Sequence, residues 1–149
     1  MIIETADFGK FEFEPQDILH FNSGLYGFEN ILEYVLINLD EHGSLMCLHP
    51  AAGKVPSFIV MDPASIFGDY RPIVSFSDLK ELGVQKAEEL KYLVIAVVTE
   101  DYRNSVVNLK SPIAINPASR QARQIIIENS KYQVRYPLFS AGKGENICL

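Results

Sequence analysis

The chain has 149 residues, 48% of them hydrophobic, which fits a single globular domain with one sizeable core. No apolar run approaches the ~20 residues that a membrane-spanning helix needs, and the opening MIIETADFGK lacks the features of a secretion signal, so we expect a cytoplasmic protein without membrane contact. The net charge is −6, and residues 1–50 contain nine acidic residues and a single basic one, Lys10. This acidic part of the chain disfavours nucleic acid as a partner and favours a basic protein.

Alternating apolar and polar residues predict a chain made mostly of β-strands. The segments MIIET and KFEFE flank ADFG, which indicates a hairpin whose Gly9 has a positive φ angle. Further strands are predicted at residues 18–21, 34–39, 45–49, 57–62, 92–99, 105–109, 113–116, 123–127 and 133–138.

One segment, SFSDLKELGVQKAEELKYL, predicts helix instead of strand. Ser77 is the expected N-cap, and Gly83 ends the first helix before a second short helix at 85–90. The predicted fold is therefore mostly β, a small β-barrel or sandwich-like single domain with two short helices around residues 77–90. We expect this domain to span residues 1–139 and residues 140–149 to form a mobile tail.

The stretch ILHFNSGLYGFEN places Gly24 and Gly27 three residues apart, a spacing that could serve a phosphate loop or a tight turn. A phosphate loop usually has a basic residue nearby, and residues 1–50 contain only Lys10. The pattern is also too short for a Walker A loop and lacks the third glycine of the dinucleotide fingerprint. We therefore interpret Gly24 and Gly27 as parts of a structural turn.

The residues that could carry catalysis or bind a metal are few. His20, His42 and His49 lack the spacing that would place two metal ligands on one helix face. Cys47 and His49 would point to the same side of a strand, about 7 Å apart along it, but two ligands do not complete a structural zinc site. The sequence predicts no metal, no cofactor and no enzymatic activity, with Cys47 and Cys148 as reduced thiols.

The segment VMDPAS leaves two interpretations open. Asp62 at the end of an apolar strand could be a catalytic acid, or Asp62 and Pro63 could form a structural turn in which the carboxylate accepts backbone N–H groups. The turn is preferred. The alternative function is a small-molecule-binding protein or hydrolase with a pocket near Asp62, His49 and Cys47.

Three segments together resemble the family of the flagellar assembly factor FliW. Residues 21–29, FNSGLYGFE, resemble its F-P-x-G-[IL]-x-G-F-E signature, with Asn22 where a proline is usual. The second segment, FIVMDPASIFGDY, resembles a strand of the family that runs into Asp-Pro and ends in Asp-Tyr. The third, VVNLKSPIAINPASRQARQIII, resembles the family's run of Asn-Leu, proline and asparagine that leads into glutamine and branched residues. The resemblance extends to about Pro137, and its strength lies in the order and spacing of these segments.

The resemblance implies a β-barrel-like cytoplasmic protein without catalytic activity that works by binding other proteins. Two partners are implied: flagellin, the filament subunit, and the RNA-binding translational regulator CsrA. Free FliW keeps CsrA off flagellin mRNA, and accumulating flagellin occupies FliW and releases CsrA. An acidic binder suits a basic RNA-binding regulator and would itself repel RNA, so we expect no direct nucleic-acid binding.

The partner-binding surface is predicted around Tyr70 and residues 108–116. Tyr follows Asp69 in a loop, loops on a rigid β scaffold carry function, and Tyr is enriched at interface centres. In the second segment a proline interrupts strand pairing. The alternative is that Tyr70 packs beneath its own loop and the asparagines cap strand ends. The predicted partner-binding residues are Tyr70, Asn108, Leu109, Pro112 and Asn116.

Overall fold

The computed structural model describes residues 1–6, 8–41 and 43–139 and is built mainly from β-strands. The strands are β1 (Ile2–Glu4), β2 (Lys10–Glu12), β3 (Leu19–Phe21), β4 (Glu33–Asn38), β5 (Leu45–Pro50), β6 (Phe58–Met61), β7 (Lys91–Val97), β8 (Val106–Val107), β9 (Ile113–Asn116), β10 (Gln121–Gln124) and β11 (Tyr136–Pro137). The single α-helix within these residues is α1 (Phe76–Glu81). His42, Cys148 and the predicted mobile tail lie outside the described residues.

Seven strands close into a barrel in the order β7-β6-β5-β4-β3-β10-β9. The ring closes because β9 also pairs with the first half of β7, where Lys91 lies opposite Ile115 and Leu93 opposite Ile113. The second half of β7 pairs with β8, which pairs with β11, so these two short strands lie outside the ring. The barrel alternative of the predicted fold is thereby confirmed over the sandwich.

The barrel interior and the N-terminal hairpin form two separate apolar clusters. Inward-facing side chains such as Phe21, Tyr34 and Leu48 fill the barrel. The predicted hairpin is confirmed: β1 and β2 pair antiparallel, and Gly9 has a φ of 82°. Its apolar face, with Ile3, packs on the outward side of β4 and β5, so one strand layer separates the two clusters.

A third cluster covers the outward face of β6, β7 and β9. Buried side chains from the strands, such as Val94 and Ala114, meet Leu82 after α1 and Tyr132 before β11. The loops before and after α1 thus close over the barrel wall. None of the helices in the described part of the chain is long and apolar enough to cross a membrane.

The helical segment differs from the prediction in its start and its second half. Ser75, not Ser77, is the N-cap, because its side chain accepts a hydrogen bond from the Asp78 backbone N–H. Gly83 follows the end of α1 with a φ of 72°, as the sequence indicated. The expected second helix is only a 3-10 turn, Ala87–Glu89, because β7 begins at Lys91.

Candidate partner-binding surface

The loop with the two glycines is held in one conformation by close backbone contacts. Gly24 is buried with a φ of 69°, and a Cβ atom there would lie 2.7 Å from Cα of Glu29. Gly27 has a φ of 87° and open space around its Cβ position. The Glu29 carboxylate accepts a hydrogen bond from the Gly27 N–H at 3.0 Å, and this bond lowers the pKa of Glu29. The geometry is that of a turn that ties its own acidic side chain to the backbone.

Contacts with neighbouring strands fix the same loop on the barrel. The backbone N–H of Tyr26 donates to the side-chain oxygen of Gln124 at 3.0 Å, and that buried amide in turn donates to the carbonyl of Ser111. The Phe28 ring packs edge-on against Phe58, with 5.3 Å between ring centroids. The loop is therefore a rigid part of the barrel surface.

This rigid loop exposes three large apolar side chains. Tyr26 is 54% exposed, Phe28 40% and Leu32 46%. Beside Leu32, an open groove of about 430 Å³ runs between residues 30–33 and 51–52. The acidic residue Glu29 stands within the same loop, and Glu33 is the first residue of β4, directly after it. These apolar residues were not among the contacts predicted from the sequence, although two aromatic residues on either side of a turn glycine were the available signal.

The structure joins Tyr70 to the segment that starts at Asn108. The Tyr70 hydroxyl donates to the carbonyl of Leu109 at 2.7 Å, and its ring lies 4.7 Å from that of Tyr132 between centroids. Burial raises the pKa of Tyr70 above its ordinary value. The side chain of Asn108 accepts hydrogen bonds from the backbone N–H groups at 110 and 111. Tyr70 thus ties its loop to the segment at residue 109, and Asn108 supports its own turn.

The other predicted contact residues are mostly enclosed. Leu109 is fully buried and Pro112 is buried, so only their backbone could reach a partner. Asn116 lies at the far end of β9, where its amide donates to the carbonyl of Leu82 at 2.8 Å and its oxygen accepts from the Ala118 N–H. The structure therefore places Asn116 beside the end of α1, and the partner-binding role of the whole set stays a prediction.

Asp62 and Pro63 lie at the start of a short 3-10 turn, Pro63–Ser65. One carboxylate oxygen of Asp62 accepts the Ala64 N–H at 2.9 Å, the contact expected of a residue that ends a strand and begins a turn. Asp62 also lines a cavity of about 470 Å³ at one end of the barrel, together with interior residues such as Leu36 and Met46.

The pocket proposed near Asp62, His49 and Cys47 does not form. Cys47 packs beneath the N-terminal hairpin, on the outward face of β5, and strand alternation puts the buried His49 on that same face. The Asp62 cavity lies on the other side of β5, with Met46. His49 Nδ1 lies 2.8 Å from the carbonyl of Pro50. No group of three metal-ligating side chains occurs among the described residues.

Comparison with known proteins identifies the family. The sequence model of the FliW protein family matches residues 2–138. The chain belongs to the FliW family. A flagellar assembly factor FliW from Clostridium tetani is 30% identical and covers 99% of this chain and 100% of the relative. One from Moorella thermoacetica is 34% identical over 93% of this chain and 89% of the relative.

The fold of the FliW family is also the fold of this chain. A crystal structure of the flagellar assembly factor FliW superposes with a TM-score of 0.85 at 26% identity, covering 95% of this chain and 99% of that one. The resemblance stated from the sequence is thus confirmed as FliW family membership across almost the whole described length. The chain is accordingly a flagellar assembly factor by family.

Proposed function

We propose that this chain is a non-enzymatic cytoplasmic protein that binds flagellin and the translational regulator CsrA. By holding CsrA it relieves repression of flagellin mRNA translation, and flagellin releases CsrA by occupying the chain. The observation that carries this proposal is the match to the FliW family over residues 2–138. The partner-binding unit is residues 1–139.

Binding is favoured over catalysis because the polar residues that could act chemically are used to hold the backbone. Asp62 begins a turn, the Nδ1 atom of His49 lies beside the Pro50 carbonyl, and the Tyr70 hydroxyl donates to a backbone carbonyl. An enzyme would need a nucleophile, a base and an orienting group converging on one open site. Asp62 and Tyr70 line one cavity, but His49 is buried on the other side of β5, so no base of this kind converges with them.

The charge of the chain supports a protein partner with a basic surface. Residues 1–50 carry a net charge of −8, with nine acids and Lys10, and they supply the N-terminal hairpin and strands β3 and β4. A surface of this sign accelerates association with a basic protein and repels nucleic-acid phosphates. CsrA, which binds RNA, is the partner whose chemistry fits.

A second contact region is proposed at Tyr70 and the residues Asn108, Leu109, Pro112 and Asn116. Because Tyr70 and Asn108 support the loops from within, an alanine at either position would disturb the fold as well as any contact. Tyr70→Phe keeps the ring and removes only the hydroxyl. If Tyr70→Phe loses affinity for flagellin or CsrA while its unfolding stability stays at that of the parent, this region is supported; unchanged affinity for both partners overturns it.

The direct test is complex formation between purified proteins. Mixing the chain with purified CsrA at micromolar concentrations should give an earlier gel-filtration peak that contains both proteins. The complex should weaken as salt is raised, because exposed charges are screened within about 8 Å at physiological ionic strength. An unchanged elution profile for both proteins would reject CsrA as a partner. The same experiment with flagellin tests the second partner.

A further inference from the structure

The face around the glycine loop has the features of a protein-docking surface. Tyr26, Phe28 and Leu32 each expose between 40% and 54% of their surface on a loop whose backbone is fixed. Aromatic residues that need little ordering are the usual anchors at interface centres. We call this set, with Glu29 and Glu33, the loop face.

The loop face is acidic, and basic side chains on neighbouring segments are already paired. Arg123 reaches Ser23 at the start of the loop, but its guanidinium also bonds the Asp78 carboxylate at 3.1 Å. Lys54 follows the groove residues at 51–52 and pairs with Glu4 at 3.2 Å. Within the loop face itself, the Glu33 carboxylate lies 3.5 Å from His20 Nδ1, and Glu29 forms no ion pair among the described residues. A partner at this face therefore meets the unpaired negative charge of Glu29 and the half-exposed carboxylate of Glu33 around an apolar centre.

Another exposed apolar site lacks this charge. Phe76 at the start of α1 is 81% exposed, yet its neighbours include Lys80 and the Arg123–Asp78 pair, so both signs surround it. A site of mixed charge does not select a basic partner. A basic partner is therefore expected at the loop face, and Phe76 is a suitable control position.

We propose that the loop face is where CsrA docks, with Tyr26 and Leu32 as apolar anchors and Glu29 and Glu33 as the acidic rim. This inference rests on the proposed function. Phe28 supports the anchors by packing on Phe58, and the open groove beside Leu32 receives an apolar side chain of the partner. The acidic rim faces a basic surface on CsrA.

The test is calorimetric titration of purified CsrA, and in separate runs of purified flagellin, into the chain and four variants. Tyr26→Ser and Leu32→Ser remove the anchors and should each raise the dissociation constant at least tenfold, the size expected for interface anchors. The double variant Glu29→Gln/Glu33→Gln removes both negative charges but keeps a side-chain oxygen at residue 29 that accepts the Gly27 N–H. It should weaken CsrA binding severalfold at low salt but not at high salt. Phe76→Ser is the matched control, since it removes an apolar side chain that is more exposed than either anchor and should bind as the parent does.

The outcomes separate the docking surface from the proposed function. If the parent chain does not bind CsrA, the proposed function fails. If the parent binds and Tyr26→Ser and Leu32→Ser bind equally well, only the loop face is overturned. If these variants lose flagellin but keep CsrA, the assignment of CsrA to this face is overturned. Melting curves for every variant show that lost binding is not lost folding.

Discussion

Alanine substitution of the two loop glycines should have unequal effects on stability. Both glycines have positive φ angles, 69° at Gly24 and 87° at Gly27, which cost an L-residue about 1–2 kcal/mol. At Gly27 the new Cβ meets no atom within 4 Å, so the conformational cost is all that applies. Gly27→Ala should therefore lower the free energy of unfolding by about 1–2 kcal/mol.

Gly24→Ala adds a steric conflict to that cost. Its Cβ would lie 2.7 Å from Cα of Glu29 and 2.8 Å from the carbonyl oxygen of Phe28. Both of these are backbone atoms, which cannot move aside by a side-chain rotation. Relieving the overlap must shift the segment that packs Phe28 on the barrel, so we expect a total loss of about 3 kcal/mol or more.

The assay is urea unfolding followed by circular dichroism, with the parent and both variants under one set of conditions. The difference between the two variants measures the close approach alone, because the φ penalty is common to them. Equal losses within about 0.5 kcal/mol would refute the tight packing of Gly24 against residues 28 and 29. A larger loss of unfolding free energy for Gly27→Ala than for Gly24→Ala would indicate that a Cβ at Gly27 meets other atoms, contrary to the open space described there.

Three further predictions concern stability away from the loop. Arg123→Met should lower the free energy of unfolding in urea by about 1–3 kcal/mol, because the Asp78 carboxylate, only 16% exposed, loses its ion pair and keeps the hydrogen bond from the Ser75 hydroxyl; an unchanged midpoint would contradict this. Ser75→Ala should lower the free energy of unfolding by about 1 kcal/mol, and Ser77→Ala by less than about 0.5 kcal/mol. The reverse order would indicate that Ser77 is the N-cap. Burial raises the pKa of Tyr70, so the unfolded chain releases this proton first and stability should fall above pH ~10; Tyr70→Phe should make that fall shallower.

The strand pattern was predictable because alternation is a local property of the sequence. The hairpin around Gly9 and the strand at 113–116 formed where the sequence indicated. Strand ends were less predictable: the expected strand at 123–127 is β10, which ends at Gln124, although Ile125 and Ile127 still donate to backbone carbonyls at 112 and 110. Apolar character continues past the paired strand because these residues cover the third cluster.

Closure of the barrel could not be predicted from the local alternation of residues, because it depends on pairing between strands that are distant in the sequence. β10 pairs in parallel with β3, which places Ala122 beside Phe21, and β7 divides its length between β9 and β8. The misplaced helix start has a simpler cause: two serines compete as caps, and Phe76 between them is an exposed apolar residue that carries no information about the buried face.

The candidate site was harder to predict than the fold because exposure depends on packing. Tyr70 fits the sequence profile of an interface residue, yet its hydroxyl and ring are used inside the protein. Tyr26 and Phe28 fit the profile of a core pair, yet the Gly24 turn carries them to the surface. The alternation that predicts strand faces does not extend into such a turn.

The proposed control of CsrA by the chain can be measured in a reconstituted translation assay. Purified CsrA is added to a cell-free system that translates flagellin mRNA, and the chain is then titrated in. We expect that CsrA represses flagellin synthesis, that a stoichiometric amount of the chain restores it, and that excess purified flagellin brings the repression back. Repression that persists at a molar excess of the chain over CsrA would show that the chain does not control CsrA.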